Sequence, residues 1–109
     1  MRRMLVDPWR TSTRMREWSQ YKATDMPYTV DFSSAASDRG TTVSSVSWSS
    51  EGSQQVTFAN QDLTSGVASA DISSIWSGNA TVKVTATYAD GNTEAFYFKV
   101  RVKDPDNRN

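Results

Sequence analysis

The stretch Thr81–Val102, TVKVTATYADGNTEAFYFKVRV, decides the fold because two long alternating patterns flank a turn sequence. Apolar and polar residues alternate with a period of two on each side, as in a β-strand with one buried and one solvated face. The stretch therefore predicts a β-hairpin around Asp90-Gly91. Its predicted buried positions are Val82, Val84, Ala86 and Tyr88 before the turn, and Phe96, Phe98, Val100 and Val102 after it.

The register of this hairpin depends on the length of its loop. A two-residue loop would set a buried valine opposite a lysine on the same face of the sheet. A three-residue loop at 89–91, with its glycine left-handed in a bulge, sets apolar residues against apolar residues. The prediction is a three-residue loop, with Val84 opposite Phe96 and Val82 opposite Phe98.

Composition excludes several classes of function. The 109 residues are enough for one domain, and they include neither cysteine nor histidine. Thiolate and imidazole metal sites, cysteine nucleophiles and serine-histidine relays are thereby excluded. Twelve basic and twelve acidic residues balance, which argues against nucleic-acid binding through bulk charge. No apolar run approaches the roughly 20 residues of a membrane span, so no membrane association is predicted.

No catalytic or cofactor site is predicted either. The acidic segment 104–107 offers several oxygen atoms, but too few for the six to eight ligands that calcium requires. The remaining carboxylates fall mainly in loops and turns, and spacing alone pairs none of them for acid-base catalysis. The chain is predicted not to be an enzyme, and to bind no cofactor and no metal.

The globular part is predicted to span residues 27–103, followed by an exposed tail at 104–109. Short alternating segments recur about every ten residues: 28–32, 42–49 with a bulge or late start at Val43, 54–59, 67–74 and the hairpin, with a loop at 33–40 and a turn at 60–62. They predict an all-β, immunoglobulin-like sandwich of about six to seven strands, with a small barrel as the alternative. The predicted core comprises Tyr28, Val30, Phe32, Val46, Trp48, Val56, Phe58, Ile72, Val82, Val84, Phe96, Phe98 and Val100.

Residues 1–26 differ from the rest of the chain. They hold six basic and three acidic residues, a net charge of +3, and all four methionines, with no alternating stretch. A short helix at about 12–22 and no strand are expected, and the segment is interpreted as an arm that docks to another protein. The alternatives are an arm packed against its own sandwich, and a segment that is disordered or binds an anionic surface. The expected partner-binding residues are Met4, Trp9, Arg10, Arg14, Met15, Trp18 and Tyr21.

Tyr97 lies on the solvated face of the hairpin, next to Lys99 and opposite Lys83. An exposed ring among polar side chains indicates either a carbohydrate- or partner-binding face or an ordinary cross-strand pair. The cross-strand pair is the favoured interpretation.

Three stretches carry a resemblance to a known family: YTVDFSS at 28–34, TVSSVSWSS at 42–50 and IWSGNATVKVTATYADGNTEAFYFKVRV at 75–102. In this order they resemble small immunoglobulin-like virion proteins of tailed bacteriophages, of the fibre-tail adaptor type. The segment 1–26 does not align with the family pattern.

The resemblance implies a non-enzymatic structural protein that links tail, neck or capsid to another virion component such as a fibre. It implies many copies per particle, other virion proteins as partners, and assembly in the host cytoplasm before residence in the virion. Two alternatives remain: a capsid decoration protein, and a carbohydrate-binding adhesion module that would use Tyr97 and Trp76.

Overall fold

The computed structural model describes residues 3–6, 16–52 and 55–104, which form two packed β-sheets and one short helix. The sheets have strand orders β1-β3-β6-β5 and β2-β8-β7-β4. The predicted all-β sandwich is confirmed, and the described residues form eight strands where six to seven were predicted. The elements are β1 Arg3–Val6, β2 Arg16–Tyr21, β3 Met26–Asp31, α1 Ser33–Arg39, β4 Val43–Glu51, β5 Thr57–Thr64, β6 Val67–Ser73, β7 Gly78–Tyr88 and β8 Thr93–Lys103.

The core lies between the inner faces of the two sheets. Alternate residues of β6 and β7 are buried, as expected of strands with one covered face. Tyr28 from one sheet stacks on Phe98 from the other, with ring centres 5.5 Å apart. Of the thirteen predicted core residues nine are buried, and the other four, Val46, Val56, Phe58 and Phe96, are partly buried and pack against them.

The hairpin of β7 and β8 has the predicted register. Val84 pairs with Phe96 and Val82 with Phe98. The backbone N–H of Gly91 donates to the carbonyl of Tyr88 at 2.9 Å, and Gly91 has a φ of 92°. This is the predicted three-residue loop with a left-handed glycine.

The prediction that a helix continues to about residue 22 and that no strand precedes residue 27 is wrong for the described residues, since Arg16–Tyr21 is a strand; residues 12–15 lie outside the described ranges. The chain forms β1 and β2 there, β1 parallel to β3 and β2 parallel to β8. Parallel pairing with a distant strand satisfies the backbone of β2, a contact that no local pattern indicates. The described residues among the first 26 therefore contribute a strand to each sheet, and do not form a strand-free arm.

The segment predicted as a loop at 33–40 is the helix α1. The backbone N–H of Ser33 donates to the Asp31 carboxylate at 2.8 Å, which stabilises the start of the helix. Gly40, with a φ of 69°, ends it in a left-handed cap. The two alanines of the helix, Ala35 and Ala36, are buried against the core. Burial of a small apolar face thus stabilises a helix in a segment rich in serine.

The turn predicted at 60–62 is a bulge inside β5. The register with β6 shifts between Ala59 and Asp62, and Asn60 has a φ of 52°. The Asn60 side-chain amide donates to the Asp71 carboxylate at 2.8 Å. The strand continues through the bulge and brings Leu63 against the core. The bulge predicted near Val43 is confirmed by a register shift at the start of β4.

Candidate functional site

The predicted docking residues differ in whether the structure describes them and in how exposed they are. Trp9, Arg10, Arg14 and Met15 lie outside the described residues; for Met4 only the backbone, within β1, is described. Trp18, also predicted to dock, has a side chain that is partly buried against the core, which favours a packing role. Its ring meets those of Tyr28 and Phe98 edge-on, at 6.2 and 5.7 Å between centres. Tyr21 is 54% exposed and remains accessible to a partner.

A buried amide fixes β2 to both sheets. The Gln20 side chain is 5% exposed and donates to the carbonyl of Ile72 at 2.8 Å and that of Thr24 at 3.0 Å. Its oxygen accepts from the Tyr28 hydroxyl at 2.7 Å. Tyr28 and Ile72 belong to the sheet opposite β2, so this network joins the two layers. It also holds the turn that follows Tyr21.

Two large apolar side chains project from the loop between β6 and β7. Ile75 is 71% exposed and Trp76 is 67% exposed. Single exposed apolar residues are ordinary, but two consecutive ones of this size form an unusual feature of a small domain. Sequence reasoning considered Trp76 only as part of a carbohydrate platform and did not consider Ile75.

Hydrogen bonds restrain the backbone of this loop. The buried Ser74 hydroxyl accepts from the backbone N–H of Trp76 at 3.1 Å, and its one proton can be donated to the carbonyl of Trp76 at 3.0 Å or to that of Gln55 at 3.3 Å. The backbone N–H of Ala23 donates to the carbonyl of Ser74 at 2.7 Å. A loop whose backbone is already restrained loses less conformational entropy on contact with a partner.

Tyr21 lies at the same end of the sandwich. Lys22 donates through its backbone N–H to the carbonyl of Lys103 at 2.8 Å, and the adjacent Ala23 bonds to the Ser74 loop. The three exposed residues Tyr21, Ile75 and Trp76 are called the apolar tip below. Tyrosine and tryptophan are the side chains most enriched in binding hot spots.

The opposite end of the sandwich carries an open groove of about 540 Å³. It lies between α1, the start of β4 and the turn that joins β5 to β6. Its apolar surface comes from the buried Ala36 and from the partly buried Val43 and Leu63. The remaining lining consists of serine, threonine and glycine, and no lining residue is charged.

The turn beside this groove is fixed against α1. Ser65 and Gly66 both have positive φ values, 51° and 81°, as a two-residue type I′ hairpin requires. The backbone N–H of Phe32 donates to the carbonyl of Gly66 at 2.9 Å. A Cβ on Gly66 would lie 3.1 Å from the Cα of Ser33, so the close approach also favours glycine. These contacts fix the Ser65-Gly66 side of the groove against α1.

Tyr88, Glu94 and Arg39 form a polar cluster near the hairpin, in which the pKa of Tyr88 is raised. The Tyr88 hydroxyl donates to the Glu94 carboxylate at 2.8 Å, and Arg39 pairs with the same oxygen at 3.1 Å. Burial, with the negative charge of Glu94, raises the pKa of Tyr88 to about 12. The phenol is thus held protonated as a hydrogen-bond donor. The phenol, the carboxylate and the guanidinium are hydrogen-bonded within the cluster, which indicates a structural role.

The outer face of the hairpin carries the cross-strand pair of Tyr97 and Lys83 that the sequence predicts. The Lys83 ammonium lies 5.8 Å from the centre of the Tyr97 ring, and the two residues are direct partners across β7 and β8. Tyr97 is 39% exposed. This is an ordinary cross-strand cation-π pair.

Within the described ranges, the structure places no group of three or more histidine, cysteine, aspartate or glutamate residues where they could hold a metal ion. None of the helices in those ranges is long and apolar enough to cross a membrane.

No protein-family model and no curated protein matches the chain. Solved structures share its fold. A cysteine protease inhibitor of Entamoeba histolytica, EhICP2, is similar with a TM-score of 0.54 and 9% identity, over 94% of this chain and 95% of that one. The PKD domain of the KIAA 1837 protein is similar with a TM-score of 0.54 and 18% identity, over 87% of this chain and 85% of that one. At these identities the likeness shows an immunoglobulin-like sandwich and nothing about function.

Proposed function

We propose that the chain is a non-enzymatic structural protein of a tailed-bacteriophage virion. It acts as an adaptor that links tail, neck or capsid to another virion component such as a fibre, and it docks through the apolar tip. The virion assignment is supported by the sequence resemblance over residues 28–102 and not by the structural neighbours, whose likeness is one of fold alone.

The observation that supports docking most strongly is the exposure of Ile75 and Trp76 on an ordered loop. The apolar surfaces of the Trp76 indole and the Ile75 side chain are exposed to water. Burying them against a partner would contribute roughly 25 cal/mol of favourable free energy per Å² of apolar surface. Because the Ser74 hydrogen bonds already hold the loop, little further ordering is needed when a partner binds. A rigid sandwich with one apolar projection suits a stoichiometric adaptor.

The outer faces of the sheets are less suitable for docking. The exposed positions of β8 alternate with buried ones and include Lys99 and Lys103, while the exposed Tyr97 is already paired with Lys83. Solvated lysines are depleted from interface centres, whereas tryptophan and tyrosine are enriched there. The tip is the better candidate for the centre of an interface.

The adhesion alternative has less geometric support. A carbohydrate platform needs aromatic rings on one surface, and Trp76 lies in the loop before Gly78. Gly78 pairs with Val102, whereas Tyr97 pairs with Lys83 five residues along the same ladder. At about 3.4 Å per residue the two aromatics lie roughly 17 Å apart along the sheet, so they do not form one platform. A capsid decoration protein would use the same tip on a different partner.

The experiment is to express variants in place of the unaltered chain during particle assembly and to measure the chain in purified particles by mass spectrometry. The tip variant, Ile75→Ser with Trp76→Ser, removes two of the three side chains of the apolar tip and leaves Tyr21; Tyr97→Ser removes an exposed aromatic elsewhere as the matched control. The tip variant should fold normally, because its substitutions are solvent-exposed. It should nonetheless be lost from particles, while the control is retained.

Two results would contradict this function. The virion assignment is wrong if the unaltered chain is absent from purified particles. If the tip variant is incorporated as well as the control, the chain docks through another surface.

A further inference from the structure

We infer that the interface of the apolar tip extends onto the outer face of β8, where the partner protein presents carboxylates to Arg101 and Lys103. These two residues are called the basic rim below. The inference rests on the proposed docking role of the tip. It adds the chemistry of the surface that the tip contacts, which is an apolar patch bordered by aspartate or glutamate side chains.

Strand register places the basic rim beside the tip. Lys103 is the direct neighbour of Tyr21 where β8 lies parallel to β2, and both side chains are exposed. Arg101 is exposed two residues earlier, on the same face of the strand. β7 begins opposite Val102, so the tip loop leaves the sheet at the level of the basic rim. A partner that covers the tip from this side would therefore also meet the two cations.

The outward cations of β8 differ from the other cations whose side chains the structure describes. Those others form ion pairs with carboxylates: Lys22 with Asp104, Arg39 with Glu94 and Lys83 with Glu51. Lys99, Arg101 and Lys103 are exposed at successive outward positions, and none of the three forms an ion pair within the described residues. Neighbours in this row lie roughly 7 Å apart, less than the Debye length of about 10 Å at 0.1 M salt, so they repel one another.

The described strands on either side of the basic rim bring no acidic residue next to it. Arg101 lies between Ser19 on β2 and Asn79 on β7. Lys103 lies beside Tyr21, whose hydroxyl is a further donor that suits a carboxylate. The positive charge of the basic rim is therefore left for a partner to neutralise.

The nearest unpaired acidic side chains lie to the sides of this surface. Glu17 is the neighbour of Lys99 on β2, one step farther from the tip. The exposed Asp25 lies in the turn that leads from β2 to β3 in the other sheet. Positive charge is thus concentrated where the outer face of β8 borders the tip.

Two cations beside exposed apolar side chains suit a protein surface better than a nucleic acid. Binding to a phosphate backbone depends on many basic contacts, each of which releases a counterion, and the basic rim supplies two. The adjacent tip needs apolar surface for its own burial, which a protein interface provides. Arginine is enriched in binding hot spots together with tyrosine and tryptophan, and Arg101 can hold a carboxylate through two parallel N–H donors.

The test measures how much chain purified particles retain over a sodium chloride series. The rim variant, Arg101→Gln with Lys103→Gln, removes two positive charges. Ser45→Glu with Ser47→Glu is the matched control: it changes the net charge equally, at exposed positions of β4, the edge strand on the far side of the same sheet. Both variants should fold normally, because all four side chains are exposed.

At about 0.1 M salt, particles should retain at least about tenfold less of the rim variant than of the unaltered chain, whereas the control should be retained like the unaltered chain. Retention of the unaltered chain should fall as the salt rises towards about 1 M, because screening weakens the charge pairs. Retention of the rim variant should depend much less on salt.

Cross-linking identifies the group that the basic rim contacts. A carbodiimide joins a lysine amine to a neighbouring carboxylate as an amide, with loss of one water and without a spacer. In treated particles, mass spectrometry should find Lys103 joined to an aspartate or glutamate of another virion protein. The pair of Lys83 and Glu51 within the chain, 4.0 Å apart, serves as the internal reference for the reaction.

Three results would overturn the inference. The first is retention of the rim variant at the level of the control. The second is the absence of any cross-link from Lys103 to another protein when the reference pair has reacted. The third is release of the unaltered chain by nuclease, which would assign a nucleic acid as the partner.

Failure of this inference is distinguishable from failure of the proposed function. Absence of the unaltered chain from particles overturns both. If the tip variant is lost from particles while the rim variant is retained, docking through the tip stands and only the acidic partner surface is wrong.

Discussion

Replacing Gln20 by leucine should destabilise the whole domain, although the substitution is close in size and adds apolar surface. Gln20 is 5% exposed and makes three hydrogen bonds of 2.7 to 3.0 Å; those with Ile72 and Tyr28 join β2 to the opposite sheet, and the third holds the turn at Thr24. Net losses of roughly 1 kcal/mol per hydrogen bond, and more where a buried partner loses its bond, give a total of about 2–4 kcal/mol. For a domain of this size that lowers the melting temperature by roughly 10–20 °C.

The assay is urea unfolding followed by circular dichroism, with Glu17→Gln as the control on the exposed face of the same strand. A double-mutant cycle with Tyr28→Phe isolates the bond between the two side chains. Removing both partners should cost at least about 1 kcal/mol less than the sum of the single changes. If Gln20→Leu changes the unfolding free energy by less than about 0.5 kcal/mol, within the range of surface changes, β2 is not held as described.

Two further predictions concern packing and titration. Trp18→Ala should lower the free energy of unfolding by about 2–3 kcal/mol, because the ring packs against the core, whereas Tyr21→Ala should change it by less than about 0.5 kcal/mol in the same urea assay. Equal small effects would return Trp18 to a docking role. The raised pKa of Tyr88 means that the folded state holds its proton more tightly than the unfolded state. The stability from this group is therefore complete below pH 10 and is lost as the pH rises towards about 12. Unfolding free energy measured across that window should fall for the unaltered chain and fall less for Tyr88→Phe; identical slopes would contradict the shift.

The hairpin could be predicted from the sequence because its determinants are local. Alternation, a turn with a glycine, and the need to keep Lys99 off the buried face fix the register without knowledge of other strands. The same reasoning located most of the core, since Val82, Val84 and Phe98 follow the period of a strand.

The N-terminal strands could not be predicted because their determinants are non-local. β2 pairs in parallel with β8, about 80 residues later. Its inner positions include Trp18 and Gln20, and a buried glutamine conceals the alternation that identifies a strand. Gln20 is satisfied only by groups brought from the other sheet, which become visible when the fold is known.

The helix α1 and the apolar tip were missed for different reasons. Serine and aspartate favour turns, so Ser33–Arg39 appeared to be a loop until the burial of its alanines was known. Large apolar residues such as Ile75 are usually buried, and the sequence alone does not indicate that this loop exposes them. The exposure of Ile75 and the shape of the groove at the other end both depend on how distant segments pack, so local sequence does not predict them.

The central claim is that the chain works as a rigid module whose contacts centre on the apolar tip. Hydroxyl-radical footprinting of Trp76 in the free chain and in purified particles tests it most directly, with Tyr97 as an internal exposed reference. We predict that oxidation of Trp76 is strongly reduced in particles while that of Tyr97 changes little. Equal oxidation of Trp76 in the free chain and in particles would contradict the claim.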